Sequence, residues 1–242
     1  MKYLMVNNIL LKFSIIFWIG FSHCQLPFVI GEQLVYDVDF RIFSAGKTTL
    51  KIQPDSINGI EVYKITAITK TNSFLDRFYK VRDRVDAWVD TDKFNLLKVK
   101  KKIREKKYKS DFTAIININD STAISKNKIT KLPGNVLDPY TAIYYFRTLV
   151  LELGKKYQFY SYDNGKVKEI IIHLTNLEKI SVPAGKFECF VISPSSINGK
   201  KLLKNNGEMK IWLSNDNRRL PVKIEQKTNI GIMVLNLRDI IS

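Results

Sequence analysis

The sequence predicts an all-β, mainly antiparallel protein: a strongly curved sheet or partly open barrel of roughly a dozen strands, with one helix packed against it. Three observations predict this. Runs of alternating apolar and polar residues recur along the chain after an apolar leader. Turn residues separate those runs at regular spacing. Only one long stretch after the leader, from Asp138 to Val150, carries the helical period.

Taken in order, Glu32 to Phe43 alternates with Leu34, Tyr36, Val38, Phe40 and Ile42 on one face. Ala45-Gly46 predicts a turn, and Thr48 to Ile52 a returning strand. Pro54 to Gly59 is dense in turn residues, and Ile60 to Thr71 is a third strand. Ser73 to Phe78 reads as one short helical turn. Val81 to Asp90 is a strand with an irregularity, because Asp83 shares a face with Val81, Val85, Ala87 and Val89. A carboxylate on a core face must be paired, or it shifts its pKa. Strands are predicted at 96–104, 108–118 and 122–130.

Asp138 is a good N-cap and Pro139 suits the first helical position. Ala142, Ile143, Phe146, Leu149 and Val150 then fall on one face, with Tyr140, Tyr144 and Arg147 on an adjoining flank; Gly154 supplies the stop. Two readings of that flank stand side by side. Its tyrosines are rim residues with buried rings and wet hydroxyls, or they face a ligand.

After the helix, hairpins and strands continue at 156–162, 166–180, 188–194, 207–214, 220–228 and 232–240, with turns at Asp163-Asn164-Gly165, Val182 to Lys186, Asn215 to Asn217 and Asn229 to Gly231. Near the end, Trp212 leads into the Asn215-Asp216-Asn217 turn, followed by Arg218 and Arg219. Those arginines pair with local acids such as Asp216, or they form a cationic rim around a pocket. Pro221 marks an edge or a strand start.

The 242 residues with 45% hydrophobic content support one sizeable core. The division is a leader over residues 1–24 and a single β-rich domain over 25–242. Lys2 and Lys12 precede or enter an apolar run from Phe13 to Phe21, of signal-peptide length, and cleavage after Ser22 or Cys24 follows. The expected location is therefore periplasmic or otherwise exported. Cys24 also raises a lipoprotein reading, against which His23 stands where a small residue is wanted. Cys189 is expected to be an inert thiol in a strand.

The net charge of +16 is concentrated in Lys98 to Lys109. Such a run suits an anionic membrane surface or a solvated lysine face on a hairpin, and export argues against nucleic acid. No phosphate-cradling glycine loop, paired metal-spaced cysteines, His-Glu-x-x-His or nucleophile elbow occurs, so no catalytic residue, metal or cofactor is assigned. His173 lies in an alternating strand, where a satisfied core or rim histidine is the default.

Segments from three regions of the chain, read together, carry a resemblance. Gly31 to Val38 with Ala45-Gly46 opens the domain. Phe78 to Arg84 and Asp138 to Arg147 lie in its middle. Ile211 to Val222, after Pro183 to Phe187, lies near its end. In this order they resemble the exported bacterial family called domain of unknown function 3108. The resemblance implies a periplasmic β-rich protein and brings no catalytic residues with it.

The resulting expectation is a non-enzymatic envelope protein that binds an apolar or amphiphilic, lipid-like molecule. The ligand-facing residues are expected to be Tyr140, Tyr144, Arg147, Asp83, Trp212 and Arg218. A structural or interaction protein of the envelope, and an envelope hydrolase, are the competing classes. One specific contact is also expected: Asp83 pairing with Arg147 to pin the helix to the sheet.

Overall fold

The computed structural model describes residues 26–242 apart from 127, 200, 203–206 and 230. The leader and Cys24 lie outside the described residues. The elements in order are β1 (Gln33–Phe40), β2 (Phe43–Ile57), β3 (Ile60–Thr71), α1 (Ser73–Asp76), β4 (Arg82–Val89), β5 (Leu96–Glu105), β6 (Tyr108–Asn117), β7 (Thr122–Ser125) and β8 (Lys128–Lys131). They continue with β9 (Val136–Leu137), α2 (Pro139–Thr148), β10 (Lys156–Asp163), β11 (Lys166–Val182), β12 (Gly185–Ser196), β13 (Glu208–Ser214), β14 (Pro221–Thr228) and β15 (Gly231–Ile241).

All the strands belong to one sheet, ordered β8-β7-β6-β5-β4-β3-β2-β1-β15-β14-β13-β12-β11-β10-β9. Every pairing is antiparallel except that of β9 with β10. The first and last strands pair at the middle of the sheet, and its two free edges are β8 and β9. The sheet does not close by backbone hydrogen bonds. Yet only residues 132–135 separate β8 from β9, so the edges lie no more than about 17 Å apart along the chain. Side chains fill this seam. Tyr160 and Tyr162 on one face of β10 pack into the same core as Phe112 of β6.

Continuous rows of facing residues cross one face of the sheet, while Cys189, Val191 and Trp212 are buried on the other face of β12 and β13. Leu34, Leu50, Ala67, Val85, Lys101 and Phe112 stand opposite one another from β1 to β6. Val38, Leu235, Ile224, Ile211, Ile192 and Leu174 do the same from β1 to β11. The α2 helix lies against this face. Tyr144 packs with Ile52 and Ile65 of the N-terminal half, and Phe146 with Ile170, Ile172 and Ile192 of the C-terminal half.

Sequence-predicted boundaries shift in four places. The first turn falls at Arg41-Ile42, with Arg41 at φ 56°, and Gly46 is inside β2. Gly46 is needed there because a Cβ would sit 2.1 Å from the Lys70 carbonyl oxygen. The Pro54–Gly59 turn contracts to Asn58-Gly59, with φ 52° and 80°, the positive values that a two-residue hairpin of type I′ requires. Pro54 stays in the strand because it lies past the last β1 partner of β2, where a missing N–H costs no ladder bond. The 122–130 strand splits into β7 and β8, with Lys126 at φ 51° between them. Finally, α2 ends at Thr148, and Leu149 is already extended.

The start of α2 is as the sequence predicts. Asp138 Oδ1 accepts from the Thr141 and Tyr140 backbone N–H groups at 2.8 and 3.1 Å. The Thr141 hydroxyl accepts from the Asp138 N–H at 2.8 Å, completing a capping box.

Candidate functional site

The two flanks of α2 meet opposite surroundings. On the flank of Tyr144 and Arg147 the interior is full. Arg147 is completely buried and donates to both carboxylate oxygens of Glu32, itself buried, at 2.6 and 3.0 Å. Its Nε donates to the Arg218 carbonyl at 3.1 Å, and the Nη2 that bonds Glu32 Oε2 also reaches the Pro27 carbonyl at 3.4 Å. The guanidinium lies over the rings of Phe28 and Tyr144, 4.9 and 5.3 Å from their centroids. Phe28 in turn stands edge-on to Tyr144 and Phe94. A planar bidentate pair with every neighbouring carbonyl engaged is the form in which a buried charge is tolerated. The Tyr144 hydroxyl has no hydrogen-bond partner among the described residues, and burial holds its pKa well above the usual phenol value.

The other flank is hollow. Pro139, Ala142, Ile143 and Phe146 form one wall of a cavity of about 470 Å3. The opposite wall comes from Phe159, Ser161 and Asp163 of β10, Lys166, Lys168, Ile170 and Ile172 of β11, and Ile192, Met209, Ile211 and Leu213 of β12 and β13. This is within the size range of small-molecule sites, about 300–1,000 Å3, and the lining is mostly apolar with polar groups gathered at one end. Register explains the gathering. Asp163 opposes Lys166, Ser161 opposes Lys168 and Phe159 opposes Ile170. Polarity therefore changes in step on both strands.

At the polar end, Lys101 reaches inward from β5. Its ammonium lies 2.5 Å from the Asp163 carboxylate and 3.9 Å from the buried Oδ2 of Asp138. Burial raises the Asp138 pKa, and the positive charge of Lys101 and the Thr141 N–H partly offset it. The buried Asp138 and the half-exposed Asp163 are thus tied to one lysine, and Asp138 also to the helix cap.

None of the six residues singled out from the sequence lines this cavity. Tyr144 and Arg147 form the packed cluster described above. Tyr140 packs between that cluster and the core of the sheet, its pKa raised by burial and by Asp138. Trp212 lies on the opposite face of β13 from Ile211 and Leu213; its indole N–H donates to Glu178 at 2.8 Å, and Lys223 sits 4.5 Å above the ring. Arg218 holds Arg147 through its carbonyl, while its side chain is exposed beside Asp216 at 3.7 Å. Asp83 accepts from the Arg104 backbone N–H at 2.8 Å, and burial raises its pKa.

The expected Asp83–Arg147 pair is therefore corrected: the partner of Arg147 is Glu32. Glu32 precedes β1, with its Val29 and Ile52 backbone bonds fixing the entry of the chain; the alternation from Glu32 to Phe43 puts it on the face of Leu34 and Tyr36, but a carboxylate at the start of a strand does not read as a core residue. Lys101 was hidden for a related reason. It sits in a run of lysines, of which Lys100 and Lys102 are exposed and Lys101 alone of the three turns to the core face. The polarity change along Lys166, Lys168, Ile170, Ile172 and Leu174 was the one signal of the cavity present in the sequence.

Other chemistry-bearing residues are quiet. Cys189 is buried, with its thiol pushed up to about 12 by burial. His173 borders a second hollow of about 320 Å3 together with Glu208, whose carboxylate is engaged by Lys201. Among the described residues no group of three or more His, Cys, Asp and Glu side chains could hold a metal. No described helix is long and apolar enough to cross a membrane.

A family model described as "Protein of unknown function (DUF3108)" matches residues 35–238. A β-barrel-like protein of the domain of unknown function DUF1849, from Brucella abortus, has a TM-score of 0.59 at 11% identity, over 88% of this chain and 98% of that one. It shares the fold. Two further structures overlay at a TM-score of 0.38 each. One is a candidate exported protein with a YmcC-like fold from Bacteroides fragilis, at 11% identity over 90% of this chain and 98% of that one. The other is a candidate lipoprotein from Parabacteroides distasonis, at 13% identity over 90% and 99%. At that score neither bears on the argument. No curated protein matches the chain.

Proposed function

The chain belongs to the DUF3108 family, and we propose that it is a non-enzymatic binding protein of the cell envelope that shelters the apolar chain of a lipid-like molecule between α2 and β10–β13. The observation that carries this reading is the contrast across one helix. A chain that buries Tyr144, Phe28 and Phe94 edge-to-face on one side of α2 leaves about 470 Å3 on the other, lined by Ala142, Ile143, Phe146 and the isoleucines of β11–β13. Interiors are close-packed by default, so a hollow of that size with an apolar lining has an occupant as its natural explanation. The apolar leader before residue 26 supports delivery outside the cytoplasm, where such ligands occur.

Alkyl-chain ligands of increasing length, tested by displacement of a fluorescent probe, check the reading. Each added methylene should tighten binding about fourfold until the cavity is full, following the ~0.8 kcal/mol of a buried CH2. Ala142→Phe, which projects a ring into the hollow, should abolish binding while the protein stays folded by circular dichroism. Affinity indifferent to chain length and to Ala142→Phe would remove the cavity from the account.

One observation favours the interaction reading as a second. Ile115, Ile124 and Ile129 stand opposite one another on β6, β7 and β8, all exposed, beside a free sheet edge. An apolar ladder at an open edge is a place where another chain can add.

A further inference from the structure

We infer that the ligand of this cavity carries an anionic head group, and that Lys166 and Lys168 receive it at the cavity's polar end. The inference rests on the chain-binding reading above and adds the polarity and orientation of the ligand.

Three observations lead to it. First, the core face of β11 reads Lys166, Lys168, Ile170, Ile172, Leu174, two cations followed by an unbroken apolar row. The facing strand repeats the change in register, with Asp163 and Ser161 beside the lysines and Phe159 beside Ile170. Lys166 to Ile172 spans about 20 Å of strand at ~3.3 Å per residue. An amphiphile therefore has one orientation that matches both walls, head toward the β10–β11 hairpin and chain toward Phe146 and Leu213.

Second, the only carboxylate among the cavity-lining residues is already neutralised. Asp163 is bound at 2.5 Å by Lys101, which comes from the far half of the sheet and is itself buried. Lys166 and Lys168 are in no ion pair among the described residues. With Lys101 shared between Asp163 and Asp138, the three lysines outnumber the two acids and the polar end keeps a net positive charge at its mouth, with Asn164 and Ser161 as neutral hydrogen-bonding company.

Third, the arrangement suits a head group that stays partly wet. Both lysines are exposed. Their stems can lie along the wall while the ammonium groups stay in solvent, so a charged head would sit at the mouth without full desolvation. A cationic head would meet two like charges there, and a neutral one would leave them unanswered. The mouth contains no preformed cage for a specific anion, so the inference is to the charge class, with a phosphate or carboxylate monoester on an alkyl chain as its simplest form.

The test uses the leaderless chain and three twelve-carbon probes below their micelle concentrations: dodecyl phosphate, dodecylphosphocholine and dodecyltrimethylammonium. Inorganic phosphate serves as a fourth arm. Binding is read by displacement of an environment-sensitive fluorophore at low and at high salt. Dodecyl phosphate should bind tightest, by about tenfold over dodecylphosphocholine at low salt, with the gap closing as salt screens the lysines. Lys166→Glu/Lys168→Glu should erase that gap and leave dodecylphosphocholine unchanged. Lys100→Glu/Lys102→Glu, on the outer face of β5, should preserve it, which separates the mouth from the general positive charge of the protein. Inorganic phosphate should displace nothing, because without a chain only the exposed lysines are engaged.

Equal affinity for the three chains, tighter binding of the cationic chain, or an anionic preference that survives Lys166→Glu/Lys168→Glu would each overturn the head-group inference and leave the chain-binding reading intact. Displacement by inorganic phosphate at the concentration of dodecyl phosphate would also overturn it, by making the lysines a plain anion site. Failure of all three chains to bind would overturn the chain-binding reading itself, and the inference with it.

Discussion

Arg147 and Ala142 stand on the same short helix, and the space around them is organised on opposite principles. Around Arg147 every polar group but the Tyr144 hydroxyl is matched: two bonds to Glu32, two to backbone carbonyls, and two aromatic faces. Around Ala142 the walls are apolar, the side chains stop short of one another, and the polar groups are held at one end. The packed half fixes the helix on the sheet, so the hollow half can stay open without the helix falling into it. A fold that must keep a cavity needs such an anchor, because a cavity left to itself costs stability in proportion to its volume.

This division predicts its own failures. The largest is at the anchor. Arg147→Met leaves Glu32 buried and unpaired, and should cost about 3–5 kcal/mol in urea denaturation. Glu32→Gln should be costly for the same reason, and the double variant should lose less than the two single losses added together. Additive losses would mean that the two residues act separately. Next, enlarging an alanine should separate the two halves. Ala67→Leu, in the packed core between Leu50 and Val85, should cost about 1–3 kcal/mol by overpacking. Ala142→Leu, into the hollow, should change stability by less than about 1 kcal/mol. Equal costs at the two positions would erase the distinction.

A smaller effect is expected at the Asp138 cap, between the halves. Burial raises its pKa, so the folded state favours the protonated carboxyl. That contribution is fully present below the unfolded carboxylate range and is lost as pH rises through the raised value. Asn keeps the cap without the charge. Asp138→Asn should therefore match the parent in acid and gain on it toward neutral pH. A parent protein that gains on the variant as pH rises would contradict the sign.

The fold was legible in the sequence because strand alternation and turn chemistry are local. Asn58-Gly59 and Asn164-Gly165 take the positive φ values their residue types favour, and the Asp138 cap forms as the sequence reads. Very short elements were not legible. Val136-Leu137 has too few residues to alternate, and its pairing depends on where β10 arrives from elsewhere in the chain. The helical residues singled out from the sequence and the residues that line the cavity lie on different flanks of the helix. Tyr140, Tyr144 and Arg147 look like a ligand surface because polar tips on a helix usually meet water or ligand. Here Glu32 and Phe28, more than a hundred positions earlier, complete them. Such long-range completion leaves no trace in local periodicity. The hollow left only the polarity change along β11, since an apolar face looks the same in sequence whether a neighbour or a cavity lies against it.

The most direct test of the central claim is to ask which flank of α2 a bound chain touches. A twelve-carbon alkyl phosphate bearing a photoreactive diazirine near its chain end, irradiated with the protein and mapped by peptide mass spectrometry, reports this in one measurement. The account predicts labels on Phe146, Ile172, Ile192, Met209 or Leu213, competed away by unlabelled dodecyl phosphate. Labels on Tyr144, Ile52, Ile65 or Phe94, or labels scattered over the exposed Ile115–Ile124–Ile129 ladder and not competed, would contradict it.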